Sequence, residues 1–144
     1  MDEGGYVARS VRVAPDLASA IYALDLASDT LRDAKEKFTS HDLQGALDGS
    51  RDAIRIASSA LMFRDGYVTA DFDRTVRFLR SKYDDQLPLR AWERVEMAYL
   101  GEGGLYNMLL VALGKERKSD DDLVSEALSV AETFIIKARK ELDI

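Results

Sequence analysis

The chain has 144 residues, of which 47% are hydrophobic and 32% charged, so it has the apolar mass for one packed core and is not a disordered polymer. Its net charge of −6 argues against a simple electrostatic nucleic-acid binder. With no cysteine it has no disulfide, thiol nucleophile or thiolate metal site.

The N-terminus carries acids where a signal peptide needs bases, and no run approaches the roughly 20 apolar residues of a membrane span. These features predict a cytoplasmic chain with no membrane contact, folded as a single domain over residues 1–144. Only two prolines and nine glycines interrupt the sequence, and no long stretch alternates with period two. The expected class is all-α, an up-and-down antiparallel bundle of about five helices.

Residues 1–14 read as a loose lead-in in which Val11 and Val13 form at most a short extended piece. Pro15 suits the first turn of a helix over about 16–38, where Leu17, Leu24, Leu31 and Phe38 recur every seven residues and Ile21, Ala27 and Ala34 fill the same face. Thr39-Ser40-His41-Asp42 is a short linker rich in capping residues, which makes the next helix an antiparallel neighbour. That second helix, 43–65, organises the rest. Ala46, Ser50, Ala53, Ala57 and Ala60 form a smooth face for close helix approach, and Leu47, Ile54 and Leu61 form a bulkier row beside it. The smooth face is either core or a dimer seam. Gly66 is placed to stop the helix in a left-handed conformation.

Tyr67–Ala70 reads as a loop and Asp71 as the N-cap of a third helix, with Phe72, Val76, Leu79 and Tyr83 on its apolar face. Pro88 opens a fourth helix with Trp92, Val95, Ala98 and Tyr99 on its apolar side. Gly101-Glu102-Gly103-Gly104 then favours a break, although Leu105, Leu109 and Ala112 keep the earlier phase. Ser119 caps a last helix whose first turn holds Asp120, Asp121 and Asp122 and whose last turn holds Lys137, Arg139 and Lys140, both matched to the helix dipole. Val124, Ala127, Ala131, Phe134, Ala138 and Leu142 form its buried stripe.

The helix order and the Ala-rich segments ALDGSRDAIRIASSALMFRDGY at 46–67 and LVSEALSVAETFIIKARKEL at 123–142 resemble the HEPN domain, the nucleotide-binding domain of higher eukaryotes and prokaryotes. The resemblance covers about 16–142. It implies a helical bundle that often dimerises. Many members are metal-independent RNases or toxin components, and others are non-catalytic partners of nucleotidyltransferases. Catalytic members carry an Arg followed, after four to six residues, by a His. Here the nearest match is Arg94-Val95-Glu96-Met97-Ala98-Tyr99, with Tyr in place of the histidine. A phenol with an ordinary pKa near 10 is a poor general base at neutral pH.

The remaining polar residues have bland readings beside the sharper ones. His41, the only histidine, reads as a cap or loop residue, because alone it builds neither a metal site nor a triad. The Asp120–Asp122 run reads as dipole complement, since three consecutive acids on a helix diverge. The GEGG stretch lacks the Lys-Ser/Thr of a phosphate loop and reads as a kink or close packing. Asp48, Arg51, Asp52 and Arg55 read as surface pairs along one helix. Arg74, Arg77, Arg80 and Lys82 form a basic strip with no acid between them, either a solvated face or a contact for phosphate or an acidic partner. Arg94 beside Tyr99 reads as a surface arginine next to a packed aromatic.

The expectation is a non-catalytic HEPN-like module without metal or cofactor. It forms a homodimer and binds a nucleotide, RNA or a partner protein such as a nucleotidyltransferase, through Arg74, Arg77, Arg80, Lys82 and Arg94. Two alternatives stand beside it. One is an RNase in which Arg94 stabilises phosphate charge and Tyr99 positions the ribose hydroxyl. The other is a purely structural adaptor.

Overall fold

A computed structural model describes residues 11–101, 105–116 and 118–144. Within them the chain runs β1 (Val11–Arg12), α1 (Leu17–Thr39), α2 (Leu43–Asp65), β2 (Tyr67–Val68), α3 (Phe72–Tyr83), α4 (Leu89–Met97), α5 (Leu105–Ala112) and α6 (Asp120–Leu142). The all-α bundle is as expected, with six helices among the described residues because 89–112 is two helices rather than one. Ala98 turns extended immediately after α4, at ψ 134°, and Gly101 sits at φ +91°. Residues 102–104 of the glycine-rich stretch lie outside the described residues.

α1 and α2 form the antiparallel hairpin, and α6 packs against both. Two local devices make the hairpin turn. Ser40, His41 and Asp42 return their backbone N–H groups to the carbonyls of Glu36, Phe38 and Lys37, the pattern of a Schellman termination, with His41 left-handed at φ +64°. Asp42 then caps α2 by accepting the Gly45 N–H at 3.0 Å. His41 is therefore a turn residue, exposed to solvent.

The smooth face of α2 is core. Ala46, Ser50, Ala53, Ala57 and Ala60 are fully buried within one chain, as are Leu47, Ile54 and Leu61, which excludes that face as a seam between two copies. Each large aliphatic side chain so buried contributes about 1.5–3 kcal/mol. Ser50 and Ser58 are tolerated there because their hydroxyls donate to the carbonyls of Ala46 and Ile54, both at 2.8 Å. Gly49 extends the smooth face. A Cβ on it would lie 2.8 Å from the Ala34 Cβ, so its absence sets how closely α1 and α2 approach.

The stripe of α6 is buried at every expected position from Val124 to Leu142. On α1 the seven-residue pattern overreaches. Leu24 and Leu31 are buried, but Leu17 and Ile21 are exposed, since no described element covers the first turns of that face. The helix starts one residue later than Pro15 suggests, with Asp16 as N-cap. Its carboxylate accepts the Ser19 hydroxyl and N–H, which lowers its pKa.

Residues 67–70 are not simply a loop. Tyr67–Val68 pairs antiparallel with Val11–Arg12, so the lead-in crosses the end of α2 as a short strand. Gly66 stands at that crossing, left-handed at φ +74°, with its carbonyl accepting the Val13 N–H at 3.0 Å. A Cβ there would meet the Val13 carbonyl oxygen at 2.6 Å. Among the described residues no helix is long and apolar enough to cross a membrane.

Candidate functional site

The basic strip of α3 is less free than its sequence implies. Asp71 caps the helix, accepting the Arg74 N–H at 3.3 Å, and its carboxylate also stands 3.7 Å from the Arg74 guanidinium. Arg80 bonds Glu93 of α4 at 2.9 Å and lies 3.8 Å from Asp84. Lys82 faces Asp65 at 3.8 Å and covers the Phe78 ring. Only Arg77 of the four points outward without an acidic partner among the described residues. The acids that balance the strip come from flanking turns and from α2 and α4, which a linear scan of residues 74–82 does not reveal.

Arg94 and Tyr99 are not joined. Arg94 is exposed near the end of α4, beside the turn of Asp84, Asp85 and Pro88. Tyr99 lies beyond the helix, 58% exposed rather than packed, with its ring 5.7 Å from the Arg51 guanidinium. The helical register that would set the two side chains one and a half turns apart ends at Met97.

Arg51 and Arg55 have larger roles than the surface pairing expected of them. Arg51 does approach Asp48 at 3.7 Å, but its guanidinium is mostly buried and donates to the Val95 carbonyl at 3.1 Å and to the Ala98 carbonyl. It therefore satisfies the open carbonyls at the end of α4, where no glycine cap exists. Arg55 grips the Glu96 carboxylate with two nitrogens, at 3.1 and 2.6 Å, and that bond raises its pKa. Glu96 also accepts the Trp92 indole N–H at 3.1 Å. The sequence signal for this α2–α4 link is faint, namely a helix end with no capping residue of its own.

A second knot joins the ends of α2, α3 and α6. Arg64 donates to Asp65 at 2.8 Å, to the Glu141 carbonyl at 3.1 Å and to the Tyr83 hydroxyl. Tyr83 donates to Asp65 at 2.7 Å, and burial together with that bond pushes its pKa up to about 12. The phenol stays protonated and serves as a structural donor.

Between α2, the β2–α3 turn and α4 lies a cleft of about 250 Å³. Met62, Phe72 and Trp92 form its apolar wall, with the two rings edge to face at 4.9 Å. Arg55, Ser58, Ser59, Thr69 and Thr75 complete its lining, with Ser58 fully buried and its hydroxyl turned back to the Ile54 carbonyl.

Among the described residues no three His, Cys, Asp or Glu side chains converge as metal ligands. Asp120 of the acidic run accepts the Gly101 N–H at 2.9 Å, tying the α4–α5 turn to the start of α6, and the Ser119 cap accepts the Asp122 N–H at 3.1 Å. No family model, curated protein or solved structure matches this chain.

α5 differs from every other helix. Its sequence LYNMLLVA has no charged residue, and its main neighbour is α4 alone. Met108, Leu109 and Val111 are exposed, as is Leu113 just beyond, at 70%. Apolar side chains clustered in this way are normally buried.

Proposed function

We propose that this chain is a non-catalytic, HEPN-like helical module that dimerises and works by binding a partner. The observation that carries this reading is α5, whose Met108, Leu109 and Val111 lie open to solvent on a helix without a charge. Contiguous exposed apolar surface of this kind marks an association site, and the HEPN resemblance makes a second copy its first occupant. Two observations support the absence of catalysis. Tyr99 stands where catalytic members have histidine, and its ring lies against Arg51 rather than Arg94.

Light scattering on the purified chain tests it. A mass of twice 16.1 kDa is expected for the wild type, falling to the monomer in a Met108→Ser/Val111→Ser variant with unchanged helical circular dichroism. A wild type that stays monomeric at every concentration overturns the dimer.

Nucleotide or RNA binding is the second reading, and it is favoured by the exposed Arg77, which has no acidic partner among the described residues, together with Arg74 and Arg80 on one strip. Fluorescence anisotropy with short single-stranded RNA and with ATP, at low and moderate salt, checks it. Salt-sensitive binding that an Arg77→Glu variant abolishes supports it, and no binding leaves the protein-association role alone.

A further inference from the structure

We infer that α5 of one copy seats on the outer side of α1 of a second copy, and that the exchange is reciprocal, so that two identical α5–α1 contacts hold the dimer. This docking rests on the association role proposed above for α5 and names the surface that α5 meets. The first turns of α1 present Leu17, Ile21, Tyr22 and Leu26 to solvent, with Tyr22 71% exposed. Ala20, Ala23, Leu24 and Ala27 take the buried side of the same turns, so these four occupy the outward half. Within the described helices, the exposed large apolar side chains fall into this group and that of α5, with Ile136 of α6 the only other. One copy keeps the two groups apart. α1 starts beside the Phe63 carbonyl of α2, which accepts the Asp16 N–H at 2.9 Å. The end of α4, from which the chain runs on to α5, is held by Arg51, about 18 Å back along the α2 axis.

Area and charge both choose α1 over a second α5 as the seat. A fully exposed aliphatic side chain offers roughly 60–120 Å² of apolar area. Met108, Leu109, Val111 and Leu113, each about half exposed, therefore offer roughly 150–300 Å² together. A specific interface needs about 500 Å² or more from each copy. An α5–α5 seam falls short, whereas the reciprocal contact adds the α1 group and about doubles what each copy commits. The charges that follow the two segments are opposite. Beyond its apolar turns α1 carries Asp25, Asp29 and Asp33. Arg139 and Arg32 meet the first two, at 3.2 and 2.9 Å, and Asp33 is exposed with no basic partner among the described residues. α5 has no charge and is followed by Lys115, which is exposed and has no acidic partner among the described residues. Laid parallel, the segments match in length, about 12 Å for α5 and about 15 Å for Leu17–Leu26, and the base of one falls beside the acids of the other. A one-way contact would leave an α5 and an α1 open at its ends and grow into a chain of copies, and reciprocity closes it at two.

The chain has no cysteine, so single introduced thiols report neighbours without background. Tyr22→Cys and Met108→Cys chains, mixed in equal amounts and treated with a short bismaleimide, are expected to give a linked dimer holding one of each. Its yield should be at least tenfold that from either variant alone. Tyr22→Ser should raise the dimer's dissociation constant at least tenfold with circular dichroism unchanged, because a single copy leaves that ring in water. Two results overturn the docking while the association role of α5 stands. One is Met108→Cys linking to itself as well as to Tyr22→Cys. The other is a Tyr22→Ser chain that dimerises as tightly as the wild type. A wild-type mass that climbs past two copies with concentration overturns the reciprocal closure. A wild type that stays monomeric at every concentration overturns the association role and the docking with it.

Discussion

α2 and α5 are both rich in small and aliphatic residues, yet one is the most buried helix of the fold and the other among the most exposed. In α2 the apolar positions return every three or four residues, so that one stripe meets α1 and α6 while Asp48, Asp52 and Arg55 keep the opposite side in water. In α5 Leu105, Leu109 and Ala112 keep a helical phase, but Met108 and Val111 add apolar side chains off that stripe, and α4 is its main neighbour among the described residues. Periodicity decides how much of a helix the same chain can cover. The apolar residues off the stripe are why the proposal gives this surface to another molecule.

The comparison breaks most visibly at the centre of α2. Ile54→Ala removes a fully buried side chain from the tightest part of the bundle and should cost about 2–5 kcal/mol, seen as a lower urea midpoint at unchanged slope. The end of the same helix is next. Gly66→Ala must hold a positive φ and press a Cβ towards the Val13 carbonyl, which should cost about 1–3 kcal/mol and release β1 from β2. Faster amide exchange of Val13 together with the loss of stability would identify the crossing as the cause.

The helices of this fold were legible because their signals are local. The stripe of α6, the caps at Asp71 and Ser119 and the stop at Gly66 each depend on residues within a few positions of one another. What sequence reading missed depends on partners far along the chain. Arg51 and Arg55 have acids three residues before them, so a linear reading pairs them there, whereas their shorter bonds reach α4 more than 40 positions away. Arg80 and Lys82 are balanced by Glu93 and Asp65 in the same way, which leaves Arg77 as the strip's one arginine without an acidic partner among the described residues. The strand pair of Val11–Arg12 with Tyr67–Val68 was hidden because two residues carry no period.

The knot of Arg64, Asp65 and Tyr83 gives a smaller effect with a definite sign. The native state holds the Tyr83 proton up to a pKa of about 12, while the unfolded phenol releases it near 10, so stability from this group is complete below pH 10 and falls as pH rises from there to about 12. Urea unfolding across that range should show the wild type losing stability more steeply than Tyr83→Phe. Parallel slopes would mean that the hydroxyl is equally free to ionise in both states.

The smallest expected effect is also the sharpest test of the contrast. Leu113 follows α5 and is 70% exposed, so Leu113→Ser exchanges an apolar side chain that a single copy barely covers. At concentrations where light scattering reports the monomer, its urea midpoint should match the wild type within about 0.5 kcal/mol. At concentrations where the wild type is a dimer, the same substitution should shift the mass towards the monomer, because leucine then leaves an interface rather than water. An equal loss of stability at both concentrations would mean that α5 is held by its own chain and belongs with α2. A loss confined to the higher concentration separates the two helices by what covers them.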